Sequence, residues 1–194
     1  MNGFSIPHID ARPESFVALD FETATCDSDS ACALGVVVVD GFRIARRRRW
    51  LIRPPRRNFE FTYIHGITWR MVANEPSFAE LWPEVRSELR GAQFLAAHHA
   101  PFDRGVLDAC CRRAGVRAPR LRVLCTVQLA RRAWRLYPTK LPNVCGFLGI
   151  ELAHHDALSD ASACASIVLA AGRSAVDAEL RSAARGRGER GRMS

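Results

Sequence analysis

Apolar residues in the first quarter of the chain follow the pattern of β-strands. Residues 15–25, "SFVALDFETAT", are apolar up to Asp20 and predict a core strand. Residues 33–53 hold a valine run, an aspartate-glycine pair and a second extended stretch, which is a hairpin signature. The second stretch carries the block Arg46–Arg49, and such charges are typical of an edge strand. The block is therefore either a solvated edge or a nucleic-acid contact, and both interpretations stay open.

The rest of the chain alternates helical periodicity with short strands. Residues 53–72, which proline and glycine interrupt, predict a loop. The pattern then predicts a helix at 77–91, a strand at 92–98 and a helix at 102–115. It further predicts a strand that turns helical at 120–132, a short helix or turn at 140–150 and a helix of small residues at 156–173. Phe102 is expected on the same apolar side as Val106 and Leu107. Helical crossovers between parallel strands favour a mixed sheet with helices packed on it.

Length and composition indicate one globular domain. The chain has 194 residues, of which 48% are hydrophobic and 25% charged. We expect an N-terminal extension at 1–14, a domain at 15–173 and a basic, disordered tail at 174–194, which is rich in glycine and arginine. Neither a membrane-spanning apolar run nor a secretory signal is visible, so we expect no membrane contact and a cytoplasmic location.

Charge and cysteine content narrow the class of partner. The net charge is +8, and Lys140 is the one lysine among 28 basic residues. A basic surface favours a polyanionic partner, and nucleic acid is the commonest. The seven cysteines form no CxxC pair. This argues against zinc and against a disulfide framework, and favours buried thiols in a reducing compartment.

Acidic residues stand at three places where a purely structural role is not obvious. Asp20 and Glu22 lie two apart on a predicted strand, so their side chains share one face. Asp103 opens a predicted helix, and Asp160 lies inside a helix of small residues. Each has an ordinary explanation: a frayed strand end, an acid at a helix N-terminus, or an exposed helical position. Like charges together in a core are costly unless a cation compensates.

A histidine precedes the last of these acids in "HHDALSD", residues 154–160. His155 is five residues before Asp160, and in one continuous helix the two would lie about 140° apart. If instead the helix begins near Ala157 with Asp156 as its N-cap, His155 sits in the entry loop and leans over the same cleft.

Together these segments resemble one known pattern. "DFET" at 20–23, "AHHAPFD" at 97–103 and "HHDALSD" at 154–160 are similar, in order and spacing, to the motifs of the DEDDh exonuclease superfamily. This superfamily includes the proofreading epsilon subunit of bacterial DNA polymerase III and ribonuclease T. The resemblance covers roughly residues 15–172 and includes all five key residues: Asp20, Glu22, Asp103, His155 and Asp160. Two positions depart from it, His99 in place of a frequent asparagine and Cys125 in place of a frequent aspartate.

The resemblance implies a ribonuclease H-like fold, a mixed five-stranded sheet flanked by helices. It implies hydrolysis of phosphodiesters from the 3′ end of DNA with release of nucleoside monophosphates. The four carboxylates would hold two divalent ions, Mg²⁺ or Mn²⁺, which prefer oxygen ligands. His155 would be the general base, with His154 as its rival, and His154 and Asp156 would be spacer and cap. Thr23, His65 and Phe102 would bind the terminal nucleotide.

Other substrates and roles remain open at this point. The same carboxylates would serve an exoribonuclease or an oligoribonuclease, because sugar recognition comes from other contacts. A non-catalytic, nucleic-acid-binding polymerase subunit is the less favoured alternative, because it predicts the loss of a key residue. The expected partner is a nucleic acid with a free 3′ end, in the first place single-stranded DNA. A DNA polymerase subunit is a further expected partner.

Overall fold

A five-stranded mixed sheet runs through the computed structural model, which describes residues 15–41 and 43–172. Its strands are β1 (Phe16–Thr23), β2 (Ala31–Asp40), β3 (Arg43–Leu51), β4 (Phe94–Ala97) and β5 (Arg122–Cys125). Their spatial order is β3-β2-β1-β4-β5, with β1, β2 and β3 antiparallel in turn and β4 and β5 parallel to β1. The predicted mixed sheet is confirmed. The predicted extension at 1–14 and the predicted tail at 174–194, with its predicted disorder, lie outside the described residues.

The helices follow the predicted order and add two short ones. They are α1 (Thr62–His65), α2 (Trp69–Val72), α3 (Phe78–Glu88), α4 (Ala100–Arg113), α5 (Thr126–Trp134), α6 (Leu141–Leu148) and α7, which begins at residue 157 and continues to residue 172. A capping box starts α3: Ser77 Oγ accepts from the Glu80 N–H, and Glu80 Oε2 accepts from the Ser77 N–H. Pro83 lies within α3 and does not end it.

Two apolar layers hold the helices on the sheet. On one face, Val17, Leu19 and Phe21 of β1 pack with residues of α3 and α4. On the other, Phe16 and Ala18 pack with residues of α5, α6 and α7. Because side chains alternate along a strand, residues 20 and 22 of β1 project to the α7 side. This alternation fixes which layer carries the acidic residues of β1.

The hairpin prediction is confirmed, and the arginine block lies on the sheet edge. Every residue of β2 except Asp40 is buried, which explains its unbroken valine run. Glu88 of α3 accepts hydrogen bonds from Nε of Arg46, at 2.8 Å, and of Arg48, at 3.3 Å. Arg49 lies 3.3 Å from Asp156. Edge position and ion pairing therefore account for three of these four arginines.

Two predictions of local structure are wrong. Residues 53–72 are not all loop, because they contain α1 and α2. Four-residue helices are too short to show a 3.6-residue apolar period, and the left-handed Gly66 that ends α1 resembles a turn signal in the sequence. Phe102 does not join Val106 and Leu107 in the core: its side chain is 45% exposed, whereas theirs are buried.

The cysteines and the helices are consistent with the composition. All seven cysteines are free thiols. Five of them are buried, while Cys26 is exposed and Cys125 is half-buried, so the expectation of buried thiols is right for most. In the described ranges, no helix combines the length and the apolarity that a membrane crossing requires.

Candidate active site

Acidic side chains from β1 and α7 meet at the end of β1. Asp20 and Glu22 project from the same face, as their spacing predicts. Each of these residues and Asp160 offers a carboxylate oxygen within 4.8 Å of the others. Glu22 and Asp160 are only 8% and 3% exposed, so neither a frayed strand end nor an exposed helical position explains them.

Asp103 reaches the same cluster from α4. It lies in the first turn of that helix, whose N-cap residue His99 has a left-handed backbone with φ 64°. Asp103 is 1% exposed, and its Oδ1 accepts a 3.0 Å hydrogen bond from the N–H of Phe21, between the two acids of β1. Its Oδ2 is buried and has no hydrogen-bond partner. An exposed acid that only complements the helix dipole would not leave a buried oxygen in this state.

The start of α7 fixes Asp160 and the histidine pair. Asp156 Oδ1 accepts a 2.9 Å hydrogen bond from the Ser159 N–H, so this residue caps the helix as the sequence suggests. His155 precedes it with a left-handed backbone at φ 68°. Its N–H donates to Asp160 Oδ2 at 3.1 Å, while Asp160 Oδ1 is buried without a partner.

His154 is more than a spacer, which corrects the sequence-based interpretation. Its Nδ1 lies 2.9 Å from Asp160 Oδ2, and its ring stacks on that of His155 with centroids 3.8 Å apart. Neither ring nitrogen of His155 has a hydrogen-bond partner among the described residues. The two histidines therefore differ: one is tied to the carboxylate cluster, and the other has both nitrogens available.

Burial and mutual repulsion make the cluster costly in the absence of a cation. Desolvation, with the neighbouring carboxylates, raises the pKa of Asp20 well above its ordinary value and that of Glu22 to about 8. Burial likewise raises the pKa of Asp103 to about 8 and raises that of Asp160. The fit to divalent cations is good, since the donors are carboxylate oxygens and two of them are buried and unpartnered. The cluster could hold divalent metal.

A cavity of about 660 Å³ opens beside the acids. Each of the three predicted nucleotide-binding residues lines it: Thr23, His65 and Phe102. The exposed side chains of Ile64 and Tyr137 also line it, and the sequence analysis did not identify them. Arg131 and Lys140 add positive charge to its wall. Single exposed residues in a four-residue helix or a loop carry no periodic signal, which is why the sequence did not reveal them.

His65 uses both ring nitrogens inside the protein. The Ile67 N–H donates to its Nδ1 at 3.0 Å, and its Nε2 lies 3.1 Å from the Thr23 carbonyl. A carbonyl only accepts, so Nε2 carries the proton and the ring is neutral. Burial lowers the pKa of His65, in agreement with that state. His65 therefore fastens the segment after α1 to the end of β1 and presents its ring to the cavity.

His98, which follows β4, has a comparable structural role. Its Nε2 donates to the Thr139 carbonyl at 3.0 Å, and its Nδ1 lies 2.8 Å from the Thr126 hydroxyl. Burial lowers the pKa of His98 to about 4, so the ring stays neutral. It connects the end of β4 to the segment before α6, which carries Tyr137 and Lys140. A histidine directly after a buried strand was the available signal for this contact.

The strand order with helices on both faces defines the class, a ribonuclease H-like domain, and a solved DEDDh exonuclease shares this fold. Residues 17–168 match the model of the exonuclease family that is named after ribonuclease T, and the chain belongs to this family. The resemblance seen in the sequence is thereby confirmed.

Relatives with curated names are about one third identical to this chain over the aligned residues. It is 33% identical over 130 residues to a putative bifunctional exonuclease/endonuclease of Mycobacterium tuberculosis, covering 62% of this chain and 20% of that protein. It is 32% identical over 112 residues to the DNA polymerase III epsilon subunit of Haemophilus influenzae, covering 55% and 43%. It is 31% identical over 162 residues to exodeoxyribonuclease 10 of Escherichia coli K12, covering 78% and 66%. The chain thus spans only part of each relative.

Solved structures share the fold. Exonuclease X in complex with 5′ overhanging duplex DNA superposes with a TM-score of 0.66 at 24% identity, covering 80% of this chain and 90% of that one. The nuclease domain of 3′hExo, a DEDDh family member bound to rAMP, superposes with a TM-score of 0.69 at 19% identity, covering 83% and 92%. The predicted ribonuclease H-like fold is confirmed.

Proposed function

We propose that the protein is a metal-dependent 3′–5′ exonuclease that hydrolyses phosphodiester bonds from the 3′ end of DNA and releases nucleoside monophosphates. The observation that carries this proposal is the convergence of buried carboxylates, two of them with unpartnered oxygens, beside a histidine pair. Family membership supports the nuclease chemistry.

The proposed ligands of two divalent ions, Mg²⁺ or Mn²⁺, are the carboxylates of Asp20, Glu22, Asp103 and Asp160. Such ions, when bound, activate water and neutralise the charge that develops on the phosphate. The chain contributes the placement of the oxygens. The Phe21 N–H fixes Asp103, and the His155 N–H and His154 Nδ1 fix Asp160, so each carboxylate keeps one oxygen free.

We propose that His155 is the general base. It lies in the entry loop of α7, lines the cavity, and has two ring nitrogens without a partner among the described residues. One of them can take the proton of the attacking water. His154 is the less suitable base because its Nδ1 already contacts Asp160.

The cavity provides an apolar binding site for the 3′-terminal nucleoside. Phe102 presents a 45% exposed ring, and Ile64 and Tyr137 are also exposed there. Aromatic side chains stack on any of the bases, so this binding site suits an exonuclease that removes successive nucleotides. Thr23 and the ring of His65 complete the proposed contacts to the terminal nucleotide.

DNA is the proposed substrate, and the names of two relatives support it: exodeoxyribonuclease 10 and a DNA polymerase III subunit. The proposed partner is therefore a DNA 3′ end, in the first place single-stranded. The match to the epsilon subunit also supports association with a polymerase, which stays a prediction. The cytoplasmic location likewise stays a prediction.

Shortening of labelled oligonucleotides tests the proposal. Single-stranded, 3′-recessed and blunt duplex DNA, with matched RNA, are labelled at the 5′ end and incubated with the protein and Mg²⁺ or Mn²⁺. We expect a ladder that shortens from the 3′ end, faster on DNA than on RNA. EDTA and the isosteric variants Asp103→Asn and Asp160→Asn should abolish it while melting remains cooperative, because each variant removes one carboxylate charge.

Other results would change the assignment. Faster shortening of RNA would make the protein an exoribonuclease with the same chemistry. A ladder that persists in both variants would refute the carboxylate assignment. Binding without shortening on any substrate would favour a non-catalytic subunit.

A further inference from the structure

The first turn of α7 lies directly on strand β2 at Gly35. A Cβ atom added to Gly35 would lie 2.0 Å from the Ala157 carbonyl oxygen, 2.3 Å from its carbon and 2.6 Å from the Leu158 nitrogen. All three atoms belong to the backbone, so no side-chain rotation could relieve the overlap. Glycine at 35 therefore lets the helix approach the sheet more closely than any side chain would permit.

The sheet register places this contact beside the acids. Asp20 of β1 is paired with Gly35 of β2, and Gly35 is paired with Arg49 of β3. Paired residues project to the same face. Residues 20, 35 and 49 thus form one row across three strands, and α7 begins above its middle member.

One attractive contact beside Gly35 ties the start of α7 to the sheet edge. Arg49 Nη2 lies 3.3 Å from Oδ2 of Asp156, whose other oxygen caps the helix. On the other side of Gly35, the carboxylates of Asp160 and Asp20 lie close together and repel each other, so that side does not hold the helix. Asp156 directly follows His155, so this ion pair acts on the turn that carries the proposed general base.

We propose that Gly35 and Arg49 are positioning residues that hold the first turn of α7, and through it His155, at its place over the sheet. Gly35 sets how closely the helix approaches β2, and the ion pair of Arg49 with Asp156 holds the turn that leads into it. This role rests on the proposed exonuclease function for its effect on rate, but the hold on the helix is a property of the fold alone.

Charge-removing variants test the ion pair. Arg49→Gln removes the cation, and Asp156→Asn removes the anion but keeps an N-cap residue. Arg49→Lys is the conservative rescue. Arg47→Gln is the matched control, because Arg47 lies on the same strand and face, is exposed and has no ion pair in the described part of the chain. Gly35→Ala tests the close approach: the added Cβ must push the first turn of α7 away from β2, so kcat should fall, and an unchanged kcat would overturn the role of Gly35.

Two readouts separate this proposal from the proposed function. Hydrogen exchange of the amides of Ser159 and Asp160, which both donate to Asp156, should be faster in Arg49→Gln and Asp156→Asn than in wild type or Arg47→Gln. On single-stranded DNA, kcat should fall about tenfold with KM nearly unchanged, because a small misplacement of a reacting group is costly. The melting temperature should change little, since exposed ion pairs contribute little to stability.

The outcomes are distinguishable. The double variant should be no slower than either single variant, because both remove one interaction. Multiplicative losses, unchanged exchange, or a raised KM with unchanged kcat would overturn the proposal, and the last result would make Arg49 a substrate contact. Wild-type protein that cleaves nothing would refute the proposed function, while the exchange rates would still decide whether Arg49 holds α7.

Discussion

At the residue scale, hydrogen bonds in the site engage one oxygen of a carboxylate and leave its other oxygen without a partner. The Phe21 N–H occupies one oxygen of Asp103, and two donors occupy one oxygen of Asp160, so in each case the second oxygen stays available. The histidines around the site also differ in how many ring nitrogens are engaged by hydrogen bonds. His65 and His98 use both ring nitrogens inside the protein, whereas His155 uses neither. Asp103, Asp160 and His155 therefore each keep an atom available for the proposed chemistry.

Alanine substitution of the two adjacent histidines tests this distinction. His155→Ala should lower kcat by about 10²–10⁴, which is the usual contribution of a general base. His154→Ala should lose much less, because its contact with Asp160 is one of two hydrogen bonds to that oxygen. The measurement is the initial rate on single-stranded DNA at saturating Mg²⁺. Equal losses in the two variants would exclude His155 as the distinct base.

At the scale of elements, short structural signals decide where each side chain is delivered. The cap at Asp156 starts α7 after His155 rather than through it, so His155 and Asp160 are not forced apart around one helix. The N-terminal end of α4 brings Asp103 under β1. On the opposite layer, the capping box of Ser77 and Glu80 starts α3, the helix that pairs with the arginine edge.

Loss of that capping box should affect stability alone. Ser77→Ala removes the cap acceptor of α3 and should lower the free energy of unfolding by about 1 kcal/mol, with kcat unchanged. Urea unfolding followed by circular dichroism measures this change. Ser87→Ala in the same helix is the control, since its hydroxyl only donates back to the Glu84 carbonyl. An equal effect of both variants would contradict the capping role.

At the scale of the whole molecule, the fold holds together a charge cluster that opposes its own stability. The carboxylates meet at the end of β1, with Glu22, Asp103 and Asp160 buried, and burial with mutual repulsion raises their pKa values. The unfolded chain has no such cluster, so its acids titrate near their ordinary values. Stability without metal therefore depends on pH.

The sign follows from proton linkage. The pKa of Glu22 and of Asp103 is about 8 in the folded protein, against an ordinary value of about 4. Between these values the folded state binds more protons, so the contribution of these groups to stability falls as pH rises from about 4 to about 8. In EDTA, the melting temperature of wild type relative to Asp103→Asn should fall over this range. Added Mg²⁺ or Mn²⁺ should raise this melting temperature most near pH 8. A melting temperature that rises with pH in EDTA would contradict the raised pKa values of the clustered carboxylates.

The sequence alone determined the features that depend on neighbouring residues and on the backbone geometry of single elements. Alternation placed Asp20 and Glu22 on one face, the valine run with its aspartate-glycine pair specified the hairpin, and Asp156 capped the last helix. Motif order indicated the family and the carboxylates. These features depend on backbone geometry and on neighbours within a few residues of the chain.

Only the tertiary structure decided the rest. The exposure of Phe102, the contact of His65 Nε2 with the Thr23 carbonyl and the approach of α7 to Gly35 all depend on elements that are distant in sequence. The short helices α1 and α2 also had no periodic signal. Distances between packed elements follow from the whole set of side chains between them, so no local pattern contains these contacts.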